Sequence, residues 1–350
     1  MRLERRGPWI ESGGADADVV ISSRVRLARN LAGFNFVNQS TDEESRELVR
    51  LVRSFDFSDS PGQWIDVDEL AEPQRQLLVE RHLVSRPFLE SSTPRSVLIG
   101  QDERLSVMVN EEDHLRVQVI LPGCGLESAW ERATVIDERL ERDVEFAVHP
   151  RWGYLTACPT NLGTAIRFSI MAHLPALRMT NELERLRRAA NALDLAVRGF
   201  YGEGSESSGD FYQVSNQITL GVSESDLLGR FVGSVVPRIV EYERMARNML
   251  LDRSRPQLED RVHRSLGLLR SARLLGVDEA MKHLSRVRLG VALDLLDGVA
   301  LEAVQRLFLE VQPGHLTLDD RFPGESVPAD ELDETMKSVR ATLVRTALSN

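Results

Sequence analysis

Three strand-forming segments lie between residues 97 and 121, and only short polar links separate them. Residues 97–100 and 105–109 are mostly apolar and flank the polar residues 101–104, and residues 115–121 alternate between apolar and polar side chains. This spacing is typical of strands joined by tight turns, which makes neighbouring strands antiparallel. The sequence therefore predicts an antiparallel sheet with the acidic residues 111–113 at the junction of two strands.

Helical periodicity surrounds this sheet. Thr41 and Glu44 have the spacing of a capping box, and apolar residues recur at helical spacing over residues 68–84, 126–142 and 180–197. Residues 211–220 have strand character. From about residue 223 onward the predicted helices cover residues 224–251, 257–275, 278–288, 300–311 and 329–347.

These patterns predict the α+β class. We expect a large, mainly antiparallel sheet flanked by helices, followed by an all-helical C-terminal domain. The corresponding boundaries are an irregular N-terminus over residues 1–17, an α+β domain over residues 18–250 and a helical domain over residues 255–350.

The composition excludes several classes of protein. The formal net charge of the 350 residues is −11, so we expect attraction neither to nucleic acid nor to an anionic membrane. No apolar run reaches the roughly 18 residues that a spanning helix needs. The N-terminal residues lack the apolar stretch of a signal peptide, and Cys124 and Cys158 do not make a disulfide framework. We therefore expect a soluble cytoplasmic protein.

Lysine is almost missing. Only Lys282 and Lys337 of the 43 basic residues are lysines, most simply because of a compositional bias towards arginine. A phosphate-binding lysine cannot exist within residues 1–281. Any phosphate group bound by that part of the chain must therefore be held by arginine or by backbone N–H groups.

Two short motifs combine unusual chemistry. Residues 110–116 read Asn-Glu-Glu-Asp-His-Leu-Arg, and residues 158–164 read Cys-Pro-Thr-Asn-Leu-Gly-Thr, with Arg167 close behind. Carboxylates can hold and deprotonate a cation, arginines can hold phosphate oxygens, and a thiolate is stabilised beside a cation. The combination suits a guanidinium group that receives a phosphoryl group. Taken singly, the first motif is also compatible with a solvated acidic turn and Cys158 with a small buried apolar residue.

Two further segments complete a recognisable order. Residues 22–26 read Ser-Ser-Arg-Val-Arg, and residues 198–206 form an Arg-Gly loop that carries a glutamate. The four segments together resemble the guanidino (phosphagen) kinase family over about residues 18–226. The resemblance implies the guanidino kinase catalytic fold, Mg-ATP as the phosphoryl donor and no protein ligand for the metal.

The resemblance also implies roles for individual residues. Glu112 and Glu206 would be the catalytic carboxylates, and Cys158 would orient the guanidinium as a thiolate. Glu111 and Asp113 would support the site. His82 would stack on adenine. The residues that would bind ATP through side chains or backbone are Ser22, Ser23, Arg24, Val25, Arg26, His82, Arg116, Arg167, Phe168, Ser169, Ile170, Met171, Arg198, Gly199, Phe200, Tyr201, Gly202 and Glu203.

Two departures indicate a branch of the family. Only 21 residues precede Ser22, where kinases of free guanidino compounds have a helical domain that closes over the substrate. The helical residues after 255, and Tyr201 in place of an arginine, resemble the bacterial protein arginine kinases of the family. We therefore expect phosphorylation of arginine residues exposed on protein substrates. The alternatives are a kinase of free arginine or another guanidino metabolite, and a non-catalytic phosphoarginine-binding adaptor.

The C-terminal domain carries only part of a phosphoarginine signature. The signature is Arg-Asp-x-x-Arg-Ala, and residues 336–341 read Met-Lys-Ser-Val-Arg-Ala. Arg340 is the candidate phosphoarginine ligand, but the aspartate is missing, so we expect weak binding. The resemblance further implies a homodimer, a zinc-finger activator protein, a Clp ATPase partner and a role in marking proteins for degradation or in stress control.

Overall fold

The structure is a computed structural model. It describes the whole chain except residues 1–6, 8–9, 12, 56, 58–59, 201–207, 324–326, 329 and 350. Within the described residues, no helix is both long and apolar enough to cross a membrane.

An eight-stranded antiparallel sheet forms the centre of the fold. Its strands in chain order are β1 (Val20–Arg29), β2 (Gly62–Asp66), β3 (Ser96–Gly100), β4 (Leu105–Val109), β5 (Leu115–Pro122), β8 (Ile166–His173), β9 (Leu195–Arg198) and β10 (Phe211–Asn216). The order across the sheet is β2-β3-β4-β5-β1-β8-β10-β9. The strands β6 (Val148–His149) and β7 (Gly153–Tyr154) form a separate hairpin. The predicted meander of β3, β4 and β5 is confirmed.

Twelve α-helices accompany the sheet in the described part of the chain. They are α1 (Asp42–Arg53), α2 (Glu72–Glu80), α3 (Arg86–Glu90), α4 (Leu126–Asp143), α5 (Pro175–Met179), α6 (Leu183–Asn191), α7 (Glu224–Arg230), α8 (Val236–Ser271), α9 (Val277–Ala292), α10 (Leu301–Glu310), α11 (Pro313–Thr317) and α12 (Leu332–Leu348). Thr41 and Glu44 form the expected capping box of α1. The predicted α+β fold with a helical C-terminal part is confirmed.

The two faces of the sheet differ because side chains alternate along each strand. Val25 and Leu27 of β1 are turned to one face and lie in an apolar cluster with residues of α1, α4 and α8. Arg24 and Arg26 are turned to the other face. Further along that face, Phe211 lies in a second apolar cluster with residues of the C-terminal helices α8 to α12. The second face is therefore polar at one end and covered by C-terminal helices at the other.

The predicted helix over residues 180–197 is wrong in its second half. Helix α6 ends at Asn191, and Asp194 has a positive φ of 55° that reverses the chain. Residues 195–198 then form β9, which pairs with β10. The apolar residues Leu195 and Val197 suit both helical and strand spacing, so pairing with a neighbouring strand decides their structure.

The predicted gap between residues 251 and 257 corresponds to a kink in the structure. Helix α8 continues through this region, but Ser254 departs from helical geometry with φ −145° and ψ 28°. Pro256 lies two residues later. It lacks an N–H group, and its ring displaces the preceding turn, so two helical segments meet at a bend here.

Candidate active site

An open cleft of about 940 Å³ lies over the polar end of the sheet. Its floor is formed by β1, β5 and β8. Its walls come from the end of α2, from the acidic turn between β4 and β5 and from the segment 157–161. Of the residues predicted from sequence, the cleft brings together Arg24, Arg26, His82, Glu112, Arg116, Cys158, Arg167 and Arg198.

The floor of the cleft is a cluster of arginines. Arg24 and Arg26 are two residues apart on β1 and therefore share a face. Arg26 lies opposite Arg167 of β8, and Arg116 of β5 lies opposite Ala28, the next residue of β1 on the same face. Antiparallel pairing thus gathers four guanidinium groups from three strands.

Arg24 and Arg167 are held by neutral side chains, whereas Arg116 pairs with carboxylates of the acidic turn. Arg24 donates hydrogen bonds to the side chains of Gln213 and Ser169, and Nε of Arg167 donates to Oγ of Ser215 at 3.2 Å. The buried Nε of Arg26 has no hydrogen-bond partner among the described residues. Neutral partners leave the positive charges uncompensated, which favours binding of an anion.

The arginines of the cluster repel one another. Burial, followed by repulsion from Arg167 and Arg116, lowers the pKa of Arg24 to about 10. Burial and the neighbouring arginines also lower the pKa of Arg26 well below its usual value. A polyanion bound here would reverse both effects because it supplies the missing negative charge.

The acidic turn presents one carboxylate and buries its neighbour. Glu111 is largely buried, and its Oε1 accepts hydrogen bonds from Oγ of Ser85 at 2.6 Å and from Nη1 of Arg116 at 2.7 Å. Burial raises the pKa of Glu111, but Arg116 and the hydrogen bonds outweigh it, so that the pKa is lowered. The side chain of Glu112 is 45 % exposed and accepts from Nη2 of Arg116 at 3.2 Å and from Nδ2 of Asn161 at 3.4 Å. Glu112 is thus the carboxylate that faces the open cleft.

Asp113 and His114 hold the turn against its surroundings. Asp113 is fully buried, and its Oδ1 accepts hydrogen bonds from Nδ2 of Asn30 at 2.6 Å and from the backbone N of Ala157 at 2.7 Å. Nδ1 of His114 accepts from the backbone N of Leu31 at 3.0 Å. These bonds join the acidic turn to the end of β1 and to the segment that leads into Cys158.

Cys158 lies in the wall of the cleft on the side of Glu112. Its Sγ is 3.0 Å from Oγ1 of Thr160, two residues further along the same motif. Asn161 of this motif is also the residue that donates to Glu112. The thiol motif and the acidic turn therefore meet across one side of the cleft.

His82 lines the cleft just beyond the end of α2. It is buried, and its ring contacts the ring of Phe200 edge-to-face at 5.1 Å between centroids. Burial, followed by Arg24 and Arg26, lowers the pKa of His82 to about 3. The ring is therefore neutral at physiological pH.

Several residues of the predicted ATP site have side chains that do not line the cleft. Val25, Phe168 and Ile170 are turned to the apolar core on the opposite face, because residues alternate along β1 and β8. Oγ of Ser23 donates a hydrogen bond to the carbonyl oxygen of Gly123 and accepts one from the backbone N of Gly125. The remaining members of this group are Ser22, Ser169, Met171, Gly199 and Phe200. Tyr201, Gly202, Glu203 and the predicted second carboxylate Glu206 lie outside the described residues.

Sequence reasoning missed the neutral residues that hold the charged ones. Gln213, Ser215, Ser85 and Asn161 contact Arg24, Arg167, Glu111 and Glu112 respectively. The alternation of polar residues in the strand over 211–216 was a usable signal for the first two. No local signal indicates Ser85, because its contact depends on the packing of separate segments.

Arg340, the candidate phosphoarginine ligand, is buried in the packing of α12. Its Nε donates to the carbonyl oxygen of Val311 at 2.7 Å, and its Nη1 donates to that of Leu275 at 2.8 Å. Lys337 pairs instead with Asp333 at 2.6 Å between Nζ and Oδ2. The described conformation gives Arg340 a packing role.

Comparison with known families decides the type of enzyme. Residues 45–246 match the family described as "ATP:guanido phosphotransferase, C-terminal catalytic domain", and residues 255–350 match the "Protein-arginine kinase McsB C-terminal domain". The chain belongs to the protein-arginine kinase family. It is therefore an ATP:guanidino phosphotransferase, as the sequence motifs predict.

Relatives match along nearly the whole chain. A protein-arginine kinase of Brevibacillus brevis is 44 % identical over 345 residues, covering 97 % of this chain and 94 % of the relative. A protein-arginine kinase of Halalkalibacterium halodurans is 44 % identical over 349 residues, covering 99 % of this chain and 96 % of the relative. Both the catalytic and the C-terminal parts therefore take part in the similarity.

Solved structures show the same catalytic fold. The duplicated taurocyamine kinase of Schistosoma mansoni, with bound transition-state analogue components, has a TM-score of 0.58 and 29 % identity, over 67 % of this chain and 34 % of that chain. A lombricine kinase has a TM-score of 0.57 and 23 % identity, over 70 % of this chain and 71 % of that chain. The second likeness supports the fold alone. The predicted guanidino kinase fold is confirmed.

Proposed function

We propose that this protein transfers the γ-phosphoryl group of ATP to arginine side chains of protein substrates. The observation that carries the proposal is the placement of Glu112. Its exposed carboxylate faces an open cleft whose floor holds four arginines, with Cys158 nearby. A cation and a polyanion can therefore bind side by side.

The arginine floor suits the triphosphate. Arg24, Arg26, Arg116 and Arg167 come from three strands, and rigid strands fix the guanidinium groups before ATP arrives. Phosphoryl transfer depends mainly on positioning and on neutralising charge. The cluster supplies both, and Arg198 adds a further cation at the edge of the cleft.

Glu112 suits the role of proton acceptor. A guanidinium is protonated at physiological pH, with a pKa above about 12, and is a poor nucleophile. As the N–P bond forms, the bond from phosphorus to the departing ADP oxygen breaks and one proton leaves the nitrogen. Glu112, with Glu206 as the second carboxylate, would hold the guanidinium and accept that proton. Cys158 would orient the same group from the side.

Mg²⁺ is proposed to accompany ATP. Of the carboxylates that line the cleft among the described residues, Glu111 is bonded on both oxygens and Glu112 faces the guanidinium position. Mg²⁺ retains several water ligands and commonly binds through substrate phosphates. We therefore assign the metal to the phosphates and water, with no protein ligand.

The proposed acceptor is arginine within a protein. Relatives that match over nearly the whole length are protein-arginine kinases, whereas the taurocyamine and lombricine kinases match only in part. The openness of the cleft is consistent with an arginine presented on a protein surface.

The test is a competition between acceptors. Labelled ATP is incubated with the enzyme, an unrelated arginine-containing protein and an excess of free arginine. The proposal predicts label in the protein fraction. Label transferred to free arginine, with none in the protein fraction, would favour a kinase of a free guanidino metabolite.

Family membership is also the basis for proposing a biological setting. We propose a cytoplasmic homodimer that is controlled by a zinc-finger activator and cooperates with a Clp ATPase. Phosphoarginine would mark proteins for degradation or contribute to stress control. Co-purification of these partners with the intact chain tests this setting independently of the chemistry.

A further inference from the structure

The end of α2 is joined to the short C-terminal helix α11 by a buried glutamate. Oε1 of Glu80 accepts a hydrogen bond from the backbone N of Gly314 at 2.8 Å, and Oε2 accepts from the backbone N of His315 at 3.1 Å. A carboxylate is unfavourable at the C-terminal end of its own helix. Here it meets the unpaired N–H groups at the start of another helix, which favour negative charge.

Gly314 allows this close approach. A Cβ atom at this position would lie 2.9 Å from Oε2 of Glu80 and 2.9 Å from the backbone N of Leu77. Any larger residue would therefore push α11 away from α2.

His315 bridges Glu80, the last residue of α2, and Arg81, which follows it. Its Nδ1 is 2.9 Å from Oε2 of Glu80, and its Nε2 is 3.3 Å from Nε of Arg81. Arg81 can only donate, so Nε2 accepts and the ring proton lies on Nδ1, facing the carboxylate. Arg81 is itself fixed by Glu103, 2.6 Å away between Nη1 and Oε1.

The residue that follows is His82, in an unusual backbone conformation. Its φ is +56°, and the hydrogen bonds Leu83 N to Leu78 O and His82 N to Val79 O form a Schellman motif. Glycine is favoured at this position, so a histidine here is retained at the cost of strain. Such a conformation persists only where the surroundings determine it.

We infer that Glu80, Arg81 and His315 are positioning residues that hold His82 in its left-handed turn, so that α11 sets the adenine end of the cleft. The inference rests on the proposed function, with adenine placed against His82 as the family resemblance implies. The C-terminal helices thereby take part in nucleotide binding without contacting the nucleotide.

The test compares two ligands, of which only one has a base. Glu80→Gln keeps the shape of the side chain but places an amide NH₂ group against the N–H donors of α11. The contact between α2 and α11 is therefore weakened. The dissociation constant of ATP should rise roughly threefold to tenfold, as expected when the stacking contact between a base and a neutral ring is partly lost. That of inorganic triphosphate, which binds only the arginines, should stay within about twofold. Equal weakening of both ligands would overturn the inference.

Conservative variants of His315 sharpen the test. In His315→Asn the side-chain amide keeps a donor near the position of Nδ1, so ATP affinity should stay near that of the wild type. His315→Phe keeps the ring shape but removes the donor, and should match Glu80→Gln. Identical ATP affinity in His315→Asn and His315→Phe would contradict the role of the ring.

Glu243 provides a matched control. It is fully buried and caps α5 in the same way, accepting from the backbone N of Ala176 at 3.2 Å and of Leu177 at 3.1 Å. Glu243→Gln should lower the melting temperature but leave the KM for ATP unchanged. A rise in KM for ATP equal to that of Glu80→Gln would mean that general loosening explains both.

His82→Ala separates this inference from the placement of adenine. This variant should weaken the binding of ATP but not that of inorganic triphosphate. If His82→Ala leaves ATP binding unchanged, the adenine placement is wrong. If His82→Ala weakens ATP binding and Glu80→Gln does not, the adenine placement is correct and the positioning role of α11 is wrong.

Discussion

Oδ1 of Asp113 lies 2.7 Å from the backbone N of Ala157, the residue that precedes Cys158. This bond joins the acidic turn to the thiol motif, although 44 positions separate the two residues. Glu112 and Cys158 therefore face the same cleft because their buried neighbours are bonded to each other.

Asp113→Ala should lower kcat while leaving the KM for ATP nearly unchanged. The variant removes the acceptor for Asn30 and Ala157, so Glu112 and Cys158 lose their relative placement. A misplacement of about 1 Å is expected to lower turnover roughly 100-fold. Steady-state kinetics with a protein substrate checks this. An equal loss of ATP affinity would show that Asp113 supports the phosphate site instead.

Arg26→Met should have opposite effects on stability and on binding. Without a ligand, the buried Nε of Arg26 has no partner among the described residues, and burial with the neighbouring arginines lowers its pKa. A methionine of similar length removes this repulsion, so the melting temperature of the ligand-free protein should not fall. ATP affinity should drop about tenfold to 100-fold because a charged contact is lost.

Arg29 on the same strand is the control for Arg26. It is buried and pairs with Asp137 at 2.6 Å between Nη2 and Oδ2. Arg29→Met leaves that carboxylate unpaired and should destabilise the protein by about 3 kcal/mol. Thermal unfolding with and without ATP distinguishes the two variants. If Arg26→Met is the more destabilising variant and keeps its response to ATP, the arginine floor does not hold phosphate.

Cys158 should be alkylated faster than Cys124, and ATP with an arginine substrate should protect it. Burial, followed by the acidic neighbours Asp16 and Glu127, raises the pKa of Cys124, which disfavours its reactive thiolate. Cys158 faces the cleft instead. Cys158→Ser should lower activity without abolishing it, since the carboxylates are retained. Mass spectrometry of each cysteine over time measures the two rates, and equal rates would argue against an activated thiol at 158.

Acid should destabilise the fold through its buried histidines. The pKa of His82 is lowered to about 3 by burial and two arginines, and that of His173 is lowered well below its usual value by burial, Arg288 and Arg247. Below the usual pKa of 6.5 the unfolded chain binds protons that the folded protein does not, so stability falls as pH falls. Each histidine contributes up to about 1.4 kcal/mol per pH unit.

The slope of unfolding free energy against pH between about 6.5 and 4.5 tests this, because carboxylates titrate mostly at lower pH. His173→Gln should flatten the slope even though it lowers stability at every pH. An unchanged slope in His173→Gln would mean that the histidine is protonated in the folded protein.

The sequence predicted the parts of the site that are contiguous along the chain. Glu112 and Cys158 lie in short motifs whose residue types indicate their chemistry, and Arg24 and Arg26 lie in one of the segments that carry the family resemblance. The strand β9 was missed because apolar spacing alone does not separate a short strand from the end of a helix.

Contacts between distant segments were not predictable. Glu80 and His315 are 235 positions apart, and each alone resembles an ordinary residue of a helix. The burial of Arg340 has the same origin, since its partners Val311 and Leu275 come from other segments. Such pairs depend on how helices pack, which periodicity does not specify.

The most direct test of the proposed function is mass spectrometry, under non-acidic conditions, of a protein substrate incubated with Mg-ATP and either the wild type or Glu112→Gln. The wild type should place phosphate on arginine side chains. Glu112→Gln should lower the rate roughly 10²- to 10⁴-fold while still binding ATP. Glu111→Gln is the neighbouring control and should weaken ATP binding, since Arg116 loses its closest partner. Phosphate on serine, threonine or tyrosine, or full activity of Glu112→Gln, would contradict the account.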